Sequence, residues 1–168
     1  KREGVREGSE KIQADINVEY YDSEEKLIKA IFEVLRTYPF VITFNGDDFD
    51  LRYLTHRALN LGFPQKEIPI ELGKRVCLLR HGVHIDLYKF FYNRSIQIYA
   101  FSNRYRDVTL DDVGKALISL TKIELTRPLS ELSYTELGSY CFRDAEIAFK
   151  LTSFDDDLPM KLILVLAR

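Results

Sequence analysis

Two aspartates in distant parts of the sequence, Asp50 and Asp144, occupy positions where a carboxylate needs a partner. On a helix predicted from Leu137 to Leu151, a step of about 100° per residue places Asp144 on the apolar face. An ionised carboxylate there costs on the order of several kcal/mol unless it is paired, hydrogen-bonded or bound to a metal. Two explanations follow for Asp144: a metal or ligand site, or a structural ion pair with a buried arginine.

Tyr140 lies four residues before Asp144 and therefore shares its face of the helix. A phenol is neutral at physiological pH, so it would orient a water by hydrogen bonding rather than act as an ionised base. A tyrosine at such a position is ordinarily part of the core, but its pairing with Asp144 makes Tyr140 a candidate catalytic residue. The same face also carries Leu137, Cys141, Ala148 and Leu151, and the opposite side carries Arg143, Glu146 and Lys150.

A second acidic cluster, Asn45-Gly46-Asp47-Asp48-Phe49-Asp50, follows a predicted strand and opens a predicted helix. In open α/β sheets, ligands bind beyond the carboxyl ends of the strands. We expect Asp47 or Asp48 to cap the helix, where negative charge is favourable. Asp50 falls at the edge of the apolar stripe of that helix and can therefore face the end of the sheet.

Two inward aspartates from distant segments suggest a divalent metal. Mg²⁺ prefers oxygen ligands and retains waters and substrate phosphate oxygens in its coordination shell. In a two-metal site about 3.5 to 4 Å across, one ion activates the attacking water and the other stabilises the leaving oxygen. This chemistry hydrolyses phosphodiesters.

The elements that would position these acids are predicted from hydrophobic periodicity and capping signals. Alternation of strands and helices indicates an α/β domain around a mixed sheet. The segment 65–108 gives a weaker pattern. The predicted strands are Ile12–Tyr21, Tyr38–Phe44 (covered on both faces) and Val83–Leu87. The predicted helices are Ser23–Thr37 behind a cap at Asp22, Phe49–Leu61, Leu110–Leu120 behind Thr109, and the long helix behind a capping box of Ser133 and Glu136.

The composition of the chain limits the classes of protein to which it can belong. The chain has 168 residues, a net charge of -2 and 46% hydrophobic residues, which is typical of a globular domain without a global basic surface. Cys77 and Cys141 have no CxxC or Cys/His neighbours, so we expect two free, packed thiols in a reducing cytoplasm rather than a zinc site or a disulfide. The late apolar run Leu162–Ala167 is too short to span a membrane, for which about 20 residues are needed.

The motifs resemble those of a known family. The string NGDDFD resembles the second exonuclease motif, Asn-x-x-x-Phe-Asp, of family B DNA polymerases, and YCFRD (140–144) resembles their third motif, Tyr-x-x-x-Asp. The order of the motifs and the wider strings FNGDDFDLRYL, HIDLYKFF and FRDAEIAFKL are similar to the archaeal branch. The resemblance extends from about Val18 to the end of the chain.

This resemblance implies a ribonuclease H-like fold of the tyrosine-type DEDD exonucleases: a mixed sheet flanked by helices. It implies removal of mispaired nucleotides from the single-stranded 3' end of a DNA primer, with two Mg²⁺ or Mn²⁺ ions and the remaining polymerase domains as partners. Asp50 would serve the second metal through water, and Asp144 the first. Tyr140 would orient the nucleophilic water. Asn45 and Phe49 would position the frayed primer end or support the loop beneath it.

The sequence departs from the family pattern in one respect. The first motif, Asp-x-Glu on an early strand, is not at its expected place, because Asp15 and Glu19 have the wrong spacing and the string Asp144-Ala145-Glu146 already belongs to the third motif. We therefore expect the N-terminal strand or strands to be missing. The predicted organisation is a charged lead-in (1–11), a partial exonuclease domain (12–155) and the start of a connection toward the polymerase domain (156–168). Two carboxylates against two divalent ions predict weak metal binding and little or no nuclease activity for this chain.

Two other functions are compatible with the sequence: a stand-alone DEDD nuclease, and a catalytically silent nucleic-acid-binding module. Six basic residues permit the second: Lys74, Arg75, Arg80, Arg94, Arg104 and Arg106. His56, His81 and His84 form no recognisable ligand set. Asp86 is either a further acid near the sheet or the cap of the segment that follows it.

Overall fold

The computed structural model describes residues 19–166, which divide into two compact units. The amino-terminal unit is Tyr20–Lys89, and the carboxy-terminal unit consists of Glu19 and the residues from Phe90 onward. The predicted strand Ile12–Tyr21 lies mostly outside the described residues, and its last three residues are not in a strand.

The amino-terminal unit is a mixed α/β structure, as predicted. Strands β1 (Phe40–Thr43) and β4 (Val83–Asp86) pair in parallel, with Phe40 opposite Val83 and Thr43 opposite Asp86. Strands β2 (Ile70–Leu72) and β3 (Cys77–Leu79) form an antiparallel hairpin. The elements are α1 (Glu24–Thr37), β1 (Phe40–Thr43), α2 (Asp50–Asn60), β2 (Ile70–Leu72), β3 (Cys77–Leu79), β4 (Val83–Asp86) and the beginning of α3 (Leu87–Tyr92), with a short 3-10 turn at Gln65–Glu67.

Helix α1 begins at Glu24, one residue later than predicted, and its cap is shifted by one residue in the same direction. Ser23 is its N-cap, and its side chain accepts a hydrogen bond from the backbone N–H of Lys26. Asp22 was predicted as the cap, but it forms an ion pair with the Lys26 ammonium at 2.8 Å. Asp22 and Lys26 are four residues apart and mostly exposed, so this is an ordinary ion pair of side chains that lie one helical turn apart.

The prediction that β1 is covered on both faces is wrong. Phe40 is 60% exposed, and the other three residues of the strand are half-buried. Among the described residues β1 pairs with β4 alone. A short apolar run therefore indicated a strand correctly but not its degree of burial.

The core of the amino-terminal unit lies between α1, α2 and the hairpin. Helix α2 ends before Gly62, whose φ of 85° is the left-handed conformation that favours glycine after a helix. The buried side chains are Ile28, Phe32, Leu35, Leu51, Ala58, Phe63, Ile68, Ile70, Cys77 and Leu79.

The carboxy-terminal unit is helical in its described part. Its elements are the rest of α3, a π-helical turn (Ile96–Ala100), α4 (Leu110–Ile118), a 3-10 turn (Leu129–Glu131), α5 (Tyr134–Thr152) and α6 (Phe154–Leu166), of which residues 155–157 have left-handed φ. An aromatic cluster of Phe90, Phe91, Phe101 and Tyr105 packs in its core. The Tyr105 hydroxyl donates to the Phe91 carbonyl at 3.0 Å.

Helix α5 confirms the predicted capping box. The Ser133 hydroxyl accepts from the Glu136 N–H, and the Glu136 carboxylate accepts from the Ser133 N–H. The expectation that Cys141 is packed is wrong, because this residue is exposed. Ile147, which was not assigned to the apolar face of the helix, is fully buried. Both cysteines are free, as predicted.

No helix within residues 19–166 is both long enough and apolar enough to cross a membrane.

Gly114 sets the distance between α4 and α5, and we predict that Gly114→Ala destabilises the carboxy-terminal unit. An added Cβ would lie 2.7 Å from the Cγ2 of Ile147 and 2.9 Å from the carbonyl oxygen of Leu120. Overpacking of this kind costs about 1–3 kcal/mol of unfolding free energy, measurable by urea denaturation followed by circular dichroism. The exposed Lys115→Ala in the same helix is the control, with an expected change within about 0.5 kcal/mol. Equal stability of the two variants would contradict the packing argument.

Candidate functional site

The parallel pairing of β1 and β4 brings their carboxyl ends together, and Asp86 is the last residue of β4. One carboxylate oxygen of Asp86 accepts backbone N–H bonds from Asn45 at 2.7 Å and Tyr88 at 3.0 Å. The other accepts from the N–H of Asp47 at 3.1 Å. The bond from Tyr88 caps the start of α3, which confirms the capping alternative for Asp86. The remaining two bonds attach the loop that follows β1.

That loop, residues 44–49, has a tight turn at Asn45-Gly46. Asn45 has a φ of 68°, a left-handed conformation that asparagine tolerates better than most residues. A Cβ on Gly46 would lie 2.3 Å from the Thr43 hydroxyl oxygen, so only glycine fits there. The turn then leads into α2 through a backbone hydrogen bond from Phe49 to the Asn45 carbonyl at 3.1 Å.

Asp47 does not cap α2, contrary to the sequence prediction. The N-cap position is Phe49, and no side chain caps the helix. Asp47 is 3% exposed and accepts hydrogen bonds from the Cys77 N–H at 2.5 Å and the Lys89 ammonium at 2.6 Å. Asp48 is exposed. Asp47 thus turns inward because a cation and a free strand N–H lie beneath the loop, which local sequence does not reveal.

The carboxyl group of Asp47 is ionised in this environment. Burial alone would raise its pKa, but the Lys89 ammonium, the Cys77 N–H and the nearby His84 lower that pKa by more, so the net shift is downward. The Nδ1 atom of His84 lies 3.4 Å from a carboxylate oxygen of Asp47, and the Nε2 atom lies 2.7 Å from the Thr43 hydroxyl. His84 is therefore a packed, hydrogen-bonded residue.

Asp50 is the first residue of α2 and forms no ion pair with any residue in the described range. The residue as a whole is exposed, yet its carboxyl group is partly desolvated. Desolvation and the negative charge of Asp86 raise the pKa of Asp50, and they outweigh the opposing effects of its own backbone N–H and of His84. A carboxylate next to another carboxylate attracts a cation, which fits a metal-binding role.

Phe49 presents an aromatic surface beside Asp50. Its ring is 67% exposed and stacks on Tyr53 with a centroid distance of 6.4 Å and an interplanar angle of 13°. Exposed aromatic rings of this kind stack on the bases of single-stranded nucleic acids. The two residues predicted to contact DNA, Asn45 and Phe49, thus lie in the loop that directly precedes Asp50.

Asp144 and Tyr140 lie on α5 and share a partner, Lys122, from the segment after α4. The Lys122 ammonium is 2.8 Å from one carboxylate oxygen of Asp144 and 5.2 Å from the centre of the Tyr140 ring. The other oxygen of Asp144 is buried and has no hydrogen-bond partner in the described part of the chain. The ion-pair alternative is therefore partly correct, but the partner is a lysine rather than an arginine.

Lys122 is a candidate functional residue that the sequence reasoning missed. Its backbone N–H donates to the Asp111 carboxylate at 2.6 Å, which fixes the segment in front of α5. Burial lowers the pKa of Lys122, but its contacts with Asp144 and Tyr140 raise that pKa by more. A lysine outside any predicted element, 22 positions before Asp144, carries no signal in periodicity or spacing.

The structure thus places the predicted site residues in two groups, one in each unit. Asn45 and Phe49 belong to the loop held by Asp86, and Asp50 directly follows that loop as the first residue of α2. Tyr140 and Asp144 belong to α5. Convergence of Asp50 and Asp144 on one metal site stays a prediction. Among residues 19–166 no group of three or more histidine, cysteine or acidic side chains could hold a metal ion by itself.

Comparison with known proteins identifies relatives along the whole chain. The model of the DNA polymerase family B exonuclease domain matches residues 3–100. DNA polymerase 1 of Sulfolobus acidocaldarius is 45% identical over 168 residues, which is 100% of this chain and 19% of that protein. DNA polymerase 1 of Saccharolobus solfataricus is 46% identical, with 99% of this chain and 19% of that protein aligned. For DNA polymerase 1 of Aeropyrum pernix the identity is 38%, over 99% of this chain and 17% of that protein.

We predict that Asp47→Asn destabilises the amino-terminal unit by about 2–3 kcal/mol, because it leaves the Lys89 charge without its buried partner. Because the pKa of Asp47 is lowered by folding, its contribution to stability is present above the ordinary aspartate pKa and is lost as the pH falls through the lowered value. The difference between wild type and variant in urea denaturation should therefore shrink below about pH 4.

The neighbouring Asp48→Asn provides a matched control, since Asp48 is exposed. This control should change stability by less than about 0.5 kcal/mol at any pH. A variant-to-wild-type difference for Asp47→Asn that stays constant from neutral to acidic pH would argue against an ionised, paired Asp47.

Proposed function

Because the chain belongs to the family B DNA polymerase exonuclease domains, we propose that it forms most of a proofreading 3'→5' exonuclease domain of a longer DNA polymerase. The chain spans about a fifth of the length of the curated relatives that it matches, 19% in two of them. The proposed reaction is hydrolysis of the last phosphodiester at the 3' end of a mispaired primer. The observation that carries it is the buried, unpartnered oxygen of Asp144 beside Tyr140, which suits a ligand rather than the core.

Metal dependence is general among exonuclease domains of this family, and the identity and number of ions are our proposal: two Mg²⁺ or Mn²⁺. The donor set is suited to them, because Asp50 and Asp144 offer the oxygen ligands that Mg²⁺ prefers. The unpartnered oxygen of Asp144 and the absence of a cation at Asp50 within the described chain both leave ligand positions open. When bound, such ions would supply an activated water and stabilise the leaving oxygen.

The roles proposed for the acids and for Tyr140 are those that the resemblance to the family motifs implies. Asp144 would hold one ion directly, and Asp50 would hold the other, in part through water. The Tyr140 hydroxyl would orient the attacking water as a neutral hydrogen-bonding group. Lys122, which already contacts Asp144 and Tyr140, would bring a positive charge to the same place, where it can contact a phosphate oxygen.

The substrate in this proposal is the single-stranded 3' end of a primer. Asn45 would position that end, and the exposed ring of Phe49 would stack on a base. The remaining polymerase domains would be partners in the same chain, with residues 156–168 leading toward them, and the enzyme would act in the cytoplasm.

A second candidate, a catalytically silent nucleic-acid-binding module, is favoured by one observation. Lys122 already neutralises Asp144 at 2.8 Å, so this acid has a cation even without a metal. In such a module the acids would be structural, and their removal would leave nucleotide removal unchanged.

We predict that Asp50→Ala and Asp144→Ala each abolish most exonuclease activity in the full-length polymerase, while primer extension persists. Loss of a metal ligand or its water contact removes charge stabilisation of the transition state, which is expected to lower the rate by about 10²-fold or more. The measurement is trimming of a 3'-mispaired primer compared with extension of a matched primer by the same preparation.

Asp48→Ala is the control, because Asp48 lies in the same loop but belongs to neither proposed metal site. It should trim the mispaired primer at the wild-type rate. Unchanged trimming by both the Asp50 and the Asp144 variants would support the silent module instead.

We also predict that the 168-residue chain alone binds Mn²⁺ weakly and trims single-stranded DNA poorly or not at all. Two carboxylates carry two negative charges against the four positive charges of two divalent ions, and a sufficient donor set normally balances them more closely. Mn²⁺ titration by electron paramagnetic resonance and a trimming assay on a labelled oligonucleotide measure both properties. Robust metal-dependent trimming by this chain would refute the prediction.

A further inference from the structure

Asp86 has no role in the reaction proposed above, although its contacts reach the residues that do. We propose that Asp86 is a positioning residue: its carboxylate holds the loop with Asn45, Phe49 and Asp50 in the geometry that metal and primer binding require. This inference rests on the proposed exonuclease function and adds a residue to it.

The contacts of Asp86 join three parts of the amino-terminal unit. It ends β4, and its two oxygens accept the N–H groups of Asn45 and Asp47 in the loop and of Tyr88 at the start of α3. Hydrogen bonds to an ionised acceptor are about twice as strong as bonds between neutral groups. One side chain therefore fixes the loop relative to both the sheet and the following helix.

The loop is shaped to receive an anion at this point. The N–H groups of Asn45 and Asp47, on either side of Gly46, both point to the Asp86 carboxylate, and Asn45 has a left-handed φ of 68°. Backbone N–H groups brought together by such a turn form a concave site for an anion. Asp86 fills this site from within the protein, so the loop does not depend on a bound ligand for its shape.

The geometry has a consequence for Asp50, which follows three residues after Asp47. The Asp86 carboxylate accepts the N–H groups of Asn45 and Asp47 and therefore lies behind the loop that leads into Asp50. A cation bound at Asp50 would thus meet the field of two carboxylates, one in contact and one behind the loop. Asp86 would therefore contribute to metal affinity without necessarily being a ligand itself.

Asp86→Asn tests this role, because it keeps the shape of the side chain but removes the charge and one N–H acceptor. In the full-length polymerase we expect about tenfold more Mg²⁺ to be needed for half-maximal trimming of a mispaired primer, with a lower maximal rate. Primer extension should not change. Asp86→Glu, which retains the charge, should restore part of the Mg²⁺ response. The control is Asp112→Asn, since Asp112 also accepts a side-chain hydrogen bond but lies in α4.

The outcomes separate the two levels of the proposal. If Asp86→Asn loses activity only in proportion to its folded fraction, with the wild-type Mg²⁺ requirement, Asp86 is merely structural and the inference is overturned. If Asp50→Ala is inactive while Asp86→Asn behaves as wild type, this inference fails and the proposed function stands. Wild-type trimming by both Asp50→Ala and Asp144→Ala would remove the proposed function itself.

A direct measurement does not depend on activity. In the 168-residue chain, hydrogen exchange followed by NMR reports on the amide groups of Asn45 and Asp47. Asp86→Asn should accelerate their exchange by about tenfold or more, while the buried α1 amide of Phe32 should keep its wild-type rate. Unchanged exchange at both loop amides would contradict a positioning role for Asp86.

Discussion

The parallel pairing of β1 with β4 is the constraint on which the amino-terminal site depends. It places Thr43 opposite Asp86, so that the backbone leaving β1 passes directly over a carboxylate. A loop that leaves a strand has N–H groups without strand partners, and these must be satisfied if they are buried. Here the end of the neighbouring strand satisfies them, and the residues of chemical interest begin immediately afterwards.

The carboxylates of Asp86 and Asp47 both hold this loop in place, but they have different hydrogen-bond partners. Asp86 accepts only backbone N–H bonds in the contacts described above, whereas Asp47 accepts one N–H and an ammonium group. The backbone carbonyl of Asp47 is also held, by Arg52 at 2.8 Å. The carboxylates of Asp47 and Asp86 already have hydrogen-bond partners. Asp50, which follows the loop, has no cationic partner within the described residues. Asp47 and Asp86 thus have structural roles, whereas Asp50 stays a candidate metal ligand.

The parts that sequence predicted are those determined locally. Helix α5 follows from its capping box and period, and α4 from the cap at Thr109, whose hydroxyl accepts the Asp112 N–H at 3.0 Å. The β2–β3 hairpin escaped prediction because its strands are three residues each, too short for periodicity to show. The inward turn of Asp47 and the contact of Lys122 with Asp144 depend on partners 42 and 22 positions away. No local pattern encodes such partners.

The two candidate metal ligands differ in electrostatic state, and this difference bears on how a site of this kind could operate. Asp144 already has a cation at one oxygen and a buried, unpartnered second oxygen. Asp50 has a neighbouring carboxylate and no cation in the described chain. A divalent ion at Asp144 must share the acid with Lys122 or displace it, whereas an ion at Asp50 relieves repulsion between two acids. If displaced, the Lys122 ammonium would be available to a phosphate oxygen, so this lysine could contribute both to the ion pair with Asp144 and to the proposed reaction.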